Sequence, residues 1–475
     1  MKSCQFNNIG DIIADANYIT EKVLLPLSEV QTEKDKERYK KKGYHPGYTY
    51  TEWGQEYPFI PRDKVYYVSG LNVGTVYYDK KRVVYVNLNL YGTEMLTLNG
   101  PESFQQNIVR VIQTQEQHSQ NKEYGYLFTT MPDGIKMDAM SHLLDLEGPT
   151  PLFYDTFMDQ YVTSNFICKN LSKRVVNALE KSKSDEQKEK TAQKVDALFD
   201  GKDAITVYRG EADGSTDYRQ ALSWSPNINV AYFFATRLGS NPALQTGKLF
   251  KKDVLEYFDL EGDEYGEEEI LVLPGKVKRV VTLPLIESNS PIIKKLLPDV
   301  VDRYQSEKEV AVELYDELGR TGCHDVLHTK RVLFHSIVIG VHEHFSEREM
   351  NALCDAALYH DIGRKTDRRE PRHGKASAEI YRKDNGCDAI VEFAIEMHCM
   401  DDEDAAEELN LRIPENERES ARRVLTALKD ADALDRVRFG LERVSSRSGL
   451  DVNQLRYNFS KQLVPLAMQC VHYLE

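Results

Sequence analysis

The sequence predicts a multidomain α+β protein with a β-rich N-terminal module, a mixed α+β middle domain and an all-α C-terminal domain. Three observations carry this. The chain has 475 residues, which at about 100–200 residues per domain exceeds one core and predicts two to four domains. Val- and Tyr-rich runs broken by Gly, Asn and Asp fill much of the stretch from Tyr57 to Phe128, a strand pattern. From Tyr304 to Glu475 apolar residues recur at helical spacing almost throughout.

Taken in order, residues 1–148 form the β-rich module, within which "YYDKKRVVYV" reads as a hairpin. The charge run "TEKDKERYKKKGYHPGYTY" reads as a solvated helix and loop, and no chemical motif stands out in this module. Residues 149–290 form the middle domain. Helix formers with spaced apolar positions run from Pro151 to Leu198, and strands return at "AITVYRG" and "EEEILVLPGKVKRVVTLPL". The segment "IESNSPIIKKLLPDV", with its two prolines, reads as a linker, which is set at residues 291–305, and residues 306–475 form the helical domain. A short linker keeps the product of one domain concentrated near the other.

Composition excludes several classes. A hydrophobic share of 41%, a charged share of 29% and a net charge of −15 describe a globular chain that does not coat nucleic acid through bulk electrostatics. No run approaches the roughly 18 apolar residues of a membrane span, and the N-terminus has no apolar signal-peptide core. Seven scattered cysteines without a CxxC pair predict reduced thiols and a cytoplasmic setting, in the producing cell or in a target cell.

Two groups of residues carry chemistry. In the first, "ITVYRGEADG" delivers Arg209 to a strand end beside Gly210, and "SWSPNINVAYFFATR" begins at Ser223. "YGEEEILVLPG" then sets Glu267 and Glu269 before an apolar strand. These residue types suit cleavage of the nicotinamide–ribose bond of NAD. A guanidinium fork matches pyrophosphate oxygens. A glycine admits close backbone approach, and its amide can meet the nicotinamide carboxamide. A fixed carboxylate, Glu269, stabilises the oxocarbenium-like ribose. In an extended segment Glu267 and Glu269 share a face, which places Glu267 as base or orienter for the acceptor.

In order and spacing these motifs resemble the R-S-E class of ADP-ribosyltransferases, the branch of the cholera-type and clostridial toxins, over roughly Pro151 to Glu287. The resemblance implies that Arg209 binds NAD phosphate and ribose, that Gly210 meets the nicotinamide amide and that Ser223 organises the site. It makes Glu269 the catalytic glutamate and Arg237 a phosphate contact. Phe234 stacks on nicotinamide, with Phe233 its close competitor, and Tyr265 reads the substrate. A glutamate at position 267 accompanies arginine acceptors in that family; "SWS" departs from the commoner S-T-S.

The second group lies in "CHDVLHTKRV", "ALYHDIGRK", "EPRHGKASAEI", "AIEMHCMDD" and "LKDADALDRVR". Imidazole and carboxylate recurring on helices suit a divalent metal that acts on phosphate. His335, His342 and His344 read instead as packed residues. The pattern resembles the HD superfamily of metal-dependent phosphohydrolases over roughly Ser306 to Leu450. That resemblance implies an all-α fold and His328, His360, Asp361 and Asp432 as metal ligands, with Asp430 as the fallback for the last. His373 and His398 stand where some branches hold a second ion, although Cys399 replaces the second histidine of the usual pair; His324 is a further candidate.

Together the resemblances imply an NAD-dependent ADP-ribosyltransferase joined to a metal-dependent phosphohydrolase acting on a nucleotide or on the ADP-ribose product. The ion is Mn, Fe, Co, Zn or Mg, in one or two copies, and the setting is that of a toxin, an effector or a phage-conflict enzyme. The acceptor is a protein, a nucleic acid or a small molecule, or simply water. The alternative is a transferase or NAD glycohydrolase gated by a nucleotide-sensing HD module without turnover.

Overall fold

In the computed structural model, which describes residues 24–69, 74–91, 93–129, 131, 133–162, 172–237, 239–258, 267–316, 322–368, 370, 372–442 and 449–473, the Val- and Tyr-rich runs form one antiparallel sheet. Its order is β1 (Leu24–Pro26), β2 (Val65–Val68), β3 (Gly74–Asp79) and β4 (Val84–Asn87). The expected hairpin is present, with Asp79 opposite Val84. Successive side chains leave opposite faces of a strand, so this sheet serves two cores. Tyr67, Tyr77 and Val86 pack with Trp53 and Phe104 on one side. Val76, Tyr78 and Tyr85 pack with Phe128, Phe153 and Phe157 on the other.

The charge run forms α1 (Glu33–Lys40), which buries no residue and is fastened by a capping box between Thr32 and Asp35. A second capping box, between Thr49 and Glu52, starts α2 (Tyr50–Glu56). Beyond β4 the module departs from the β-rich expectation. It continues as α3 (Thr93–Gln120), α4 (Tyr124–Phe128) and α5 (Asp133–Glu147). The cause is local: "PESFQQNIVRVIQTQEQHSQ" is rich in Gln and Glu, which favour helix. Gly100, at φ 78°, kinks α3, and Pro101 opens its second part.

The middle region begins with α6 (Pro151–Val162), α7 (Lys173–Ser182) and α8 (Asp185–Phe199). Two small antiparallel sheets follow. One has the order β10 (Lys278–Pro284), β7 (Ala243–Phe250), β5 (Ala204–Glu211); the other has the order β6 (Ser223–Trp224), β9 (Glu269–Val272), β8 (Val254–Phe258). Val207, Trp224, Leu249 and Ile270 meet between them over Phe199 of α8. A bridge between Tyr208 and Ser225 ties the sheets together. Helix α9 (Ile228–Arg237) lies on β5, where a Cβ on Gly210 would stand 1.9 Å from the Ala231 carbonyl oxygen. Only glycine admits that approach.

Residues 291–305 are not a linker. They open α10 (Pro291–Asp316), with Pro291 in the first turn, where its missing N–H costs nothing, and Pro298 inside the helix. The remainder is helical: α11 (Val326–His342), α12 (Glu347–Tyr359), α13 (His373–Asn385), α14 (Ala389–Met397), α15 (Asp402–Arg412), α16 (Arg418–Asp435), α17 (Asn458–Gln462) and α18 (Val464–Tyr473). Ala231, Tyr232 and Ala235 of α9 belong to the same apolar cluster as the cores of α11, α12 and α16. The described cysteines are all free, and no helix among the described residues is long and apolar enough to cross a membrane.

Candidate functional site

The first motif group is drawn together by β5, β6 and β9. Arg209 donates from Nη1 to the Ser223 carbonyl at 3.0 Å, from Nη2 to the Thr216 carbonyl at 2.9 Å and from Nε to Glu211 Oε1 at 2.9 Å. The guanidinium therefore fastens β5 to β6 with three of its five N–H donors, which leaves two for a ligand. Tyr208 exchanges both backbone hydrogen bonds with Ser225, so the Gly210 amide, two residues on, faces the same strand edge. Ser223 pairs with Leu271 of β9, whose first residue is Glu269. Ser225 Oγ donates to the Glu267 carbonyl at 3.2 Å, and Asn227 Nδ2 to Glu268 Oε2 at 3.1 Å.

Two details depart from the sequence expectation. Glu268 has φ 45°, so the chain turns there, and the alternation of an extended strand does not relate Glu267 to Glu269. The need for glycine at position 210 comes from the packing of α9, as described above. Phe233, Phe234 and Arg237 form one cluster near the end of α9, the guanidinium carbon lying 5.9 and 5.4 Å from the two ring centroids. Phe233 packs against the large apolar core, which leaves Phe234 the freer ring. Tyr265 lies outside the described residues. Sequence reasoning missed Tyr161 of α6, whose hydroxyl donates to Glu269 Oε1 at 2.8 Å. A contact so distant along the chain leaves no local signal.

The second group closes around Asp361. Asp325 caps α11 through the amides of Leu327 and His328 at 3.0 and 3.1 Å, which sets His328 in the first turn. His360 and Asp361 follow directly on α12, His373 begins α13, His398 follows α14, and Asp432 lies in the last turn of α16. On one side of Asp361, Oδ2 lies 2.6 Å from His324 Nδ1, 3.5 Å from His328 Nε2 and 3.7 Å from His360 Nε2. Asp432 Oδ1 completes this lobe, 3.5 Å from His328 Nε2 and 3.9 Å from His360 Nε2. On the other side, Asp361 Oδ1 lies 2.9 Å from His373 Nε2 and 3.6 Å from His398 Nε2. Asp430 is turned elsewhere and accepts the backbone amides of Arg456 and Tyr457.

The donor set fits a metal. The Nδ1 atoms of His360, His373 and His398 face the carbonyl oxygens of Ala357, Glu370 and Ile395 at 2.8, 2.6 and 2.6 Å. A carbonyl only accepts, so each Nδ1 carries a proton and each Nε2 turns a lone pair inward. His328 Nδ1 is held at 2.7 Å by Asp435 Oδ2. The Nε2 atoms then meet at 3.2 Å for His328 and His360 and at 2.9 Å for His373 and His398. Converging lone pairs beside carboxylates require a proton or a cation between them. Burial lowers the His360 imidazole to about 4, which keeps it neutral. Burial acts against the proton on His328, but the Asp361 and Asp435 carboxylates outweigh it and raise that imidazole to about 9. A divalent ion bound between these nitrogens would displace this proton. Burial also opposes the charge on Asp361, yet the surrounding imidazoles hold its carboxyl well below the ordinary range.

Several supporting residues carried no sequence signal. Asp435 accepts from Arg331 and Arg438 as well as from His328. Lys429 holds the Met400 carbonyl and Asp402 Oδ1, each at 2.7 Å, and so fixes the turn after His398. Gly363 lets α13 pack close, since a Cβ there would stand 2.4 Å from Ser377 N. His335 is fully buried, as expected. His342 stacks on Phe459 with ring centroids 3.5 Å apart, again a packing role.

No family model, curated protein or solved structure matches the chain at a significant level.

Proposed function

We propose that the chain is an NAD-dependent ADP-ribosyltransferase joined to a metal-dependent phosphohydrolase. The meeting of Arg209, Ser223 and the start of β9 at Glu269 supports the first activity. In this reading the two unengaged N–H groups of Arg209 and the guanidinium of Arg237 bind the pyrophosphate of NAD, and Phe234 stacks on nicotinamide. Glu269, oriented by the Tyr161 hydroxyl, stabilises the positive ribose as nicotinamide leaves. Glu267 directs the acceptor. Glu269→Gln removes that charge, and the transfer rate is expected to fall about 100–1,000-fold, the scale of one preorganised electrostatic group. Retention of the parent rate with labelled NAD refutes the assignment.

The inward-facing Nε2 atoms on both sides of Asp361 support the second activity. His328, His360, Asp361 and Asp432 would hold a first ion, and Asp361 with His373 and His398 a second. A divalent ion at this place supplies Lewis acidity toward a phosphate and acidifies water. The protein orients the ligands: backbone carbonyls fix the imidazoles of His360, His373 and His398, and Asp435 fixes His328. Phosphate release over a nucleotide panel with manganese tests the reading. Asp361→Ala is expected to abolish turnover and metal retention while NAD chemistry survives. Nucleotide binding without turnover by the metal-loaded parent would favour the sensor instead.

A further inference from the structure

We infer that His373, His398 and Cys399, sharing Asp361 with the other lobe, form a thiolate-bearing site that selects zinc over the harder ions suited to His328, His360 and Asp432. The inference rests on the metal-centre reading above and assigns the second lobe its own ligand and its own class of ion. The ligating atoms of His373, His398 and Cys399 lie within 4.8 Å of one another, a separate grouping from His328, His360 and Asp432. Neither imidazole can donate toward the other, because both Nδ1 protons point at carbonyls. Both side chains are 3% exposed, so solvent does not relieve the lone pairs.

The backbone is arranged to bring the sulfur in. A Cβ on Gly374 would stand 2.7 Å from the carbonyl oxygens of both Ile395 and Glu396 and 3.1 Å from Cys399 Sγ. Glycine at this position therefore lets the start of α13 abut the end of α14, which sets His373 beside His398 and Cys399. The Gly374 amide also hydrogen-bonds to the Cys399 sulfur, which holds the sulfur beside the two imidazoles. The sulfur also lies 3.8 Å from the Glu396 carbonyl oxygen. Two imidazoles, one thiolate and one carboxylate oxygen are a tetrahedral zinc set. Two imidazoles and two carboxylates suit manganese, iron or magnesium better. When zinc binds, the Cys399 thiol proton leaves to solvent, so charge and atoms balance. Of the other described cysteines, none joins a His, Asp or Glu cluster among the described residues.

The test uses full-length metal-free protein titrated with cobalt(II). The parent is expected to develop a near-ultraviolet thiolate-to-cobalt charge-transfer band that zinc abolishes. Cys399→Ser lacks the band, and its zinc affinity falls by more than the about 10–100-fold that removal of an outer ligand partner costs. Manganese binding at the other lobe, read by electron paramagnetic resonance, is unchanged. Cys399→Ala, with its fold checked by circular dichroism, must behave in the same way. A band that persists in Cys399→Ser, or cobalt binding by the parent without a band, overturns the inference and leaves the metal-centre reading intact. Failure of the parent to bind cobalt, zinc or manganese at all overturns both.

Discussion

Asp435→Asn tests how the first lobe is built. The carboxylate is fully buried, accepts from His328 Nδ1 at 2.7 Å and pairs with Arg331 and Arg438. Burial opposes its charge, but the His328 hydrogen bond and the two guanidinium groups outweigh burial and hold its carboxyl well below the ordinary range. Asparagine keeps the shape and loses the charge. The His328 ring is then less firmly held and less basic, and an outer partner of this kind is worth about 10–100-fold in metal affinity. At 1.36 kcal/mol per tenfold this is about 1.4–2.7 kcal/mol. Separately, two guanidinium groups lose their buried counter-charge, and breaking such a pair costs about 3–5 kcal/mol of stability. Manganese titration of the folded metal-free protein reads the first effect, and urea unfolding without metal reads the second. Manganese affinity within twofold of the parent, in a variant that still loses stability, would show that Asp435 supports the fold and not the metal, which refutes the orientation argument.

Tyr161→Phe removes the hydrogen bond to Glu269; bonds to charged groups are worth about 1.5–3 kcal/mol, so kcat for transfer is expected to fall about 10–100-fold with KM for NAD nearly constant, and equal changes in both would place Tyr161 in binding. Glu267→Ala is expected to block transfer to the acceptor and spare slow NAD hydrolysis, as separate assays of adduct and free ADP-ribose will show. His335→Leu tests the fully buried imidazole, which burial lowers to about 4. The unfolded chain gains a proton below about pH 6.5 that the folded chain refuses down to about pH 4, so the parent loses up to about 3 kcal/mol over that window; a urea series across it should show a shallower loss in His335→Leu. Asp361→Ala compared with the parent by mass spectrometry tests whether the hydrolase trims the transferase product: a full ADP-ribose adduct is expected on the target in the variant and a smaller one, or none, in the parent.

How much of this was legible depends on the range over which each signal acts. The hairpin, the capped α1 and the helical C-terminal third follow from patterns within a few residues, and they appear where those patterns stand. The clustering His and Asp residues were legible because their pattern is rare: buried imidazoles beside aspartates have few structural uses. The partners were not. Tyr161 reaches Glu269 across 108 positions of sequence, and Asp435 reaches His328 across 107. The helical stretch after β4 was less legible, because Val and Tyr dominate the strands before it and mask the Gln-rich run that follows. The prolines signal a break in the sequence, yet Pro291 suits the first turn of a helix and Pro298 lies inside α10.

The helix in place of a linker changes the relation between the two sites. A flexible linker would let each domain meet the other's product by proximity alone. The junction is instead a packed interface. Asn229 of α9 donates to Asp451 Oδ1 and accepts from Val452 N at 3.0 and 2.9 Å, and Tyr232 donates to the Lys461 carbonyl at 3.0 Å. The Ile286 amide reaches the Gln462 carbonyl at 2.8 Å, and the Leu466 amide the Ile286 carbonyl at 3.0 Å. The segment holding these contacts is itself anchored on Asp430, two residues from Asp432 of the His and Asp cluster, through the amides of Arg456 and Tyr457. A shift of α16 on metal binding therefore has a short, hydrogen-bonded route to α9, which carries Phe234 and Arg237 and lies against Gly210. A fixed junction makes one distinction sharp. If the sites act in relay, the adduct changes in Asp361→Ala while the rate of NAD cleavage stays the same; if the junction couples them mechanically, adding metal to the parent alters that rate even when no phosphoester substrate is present.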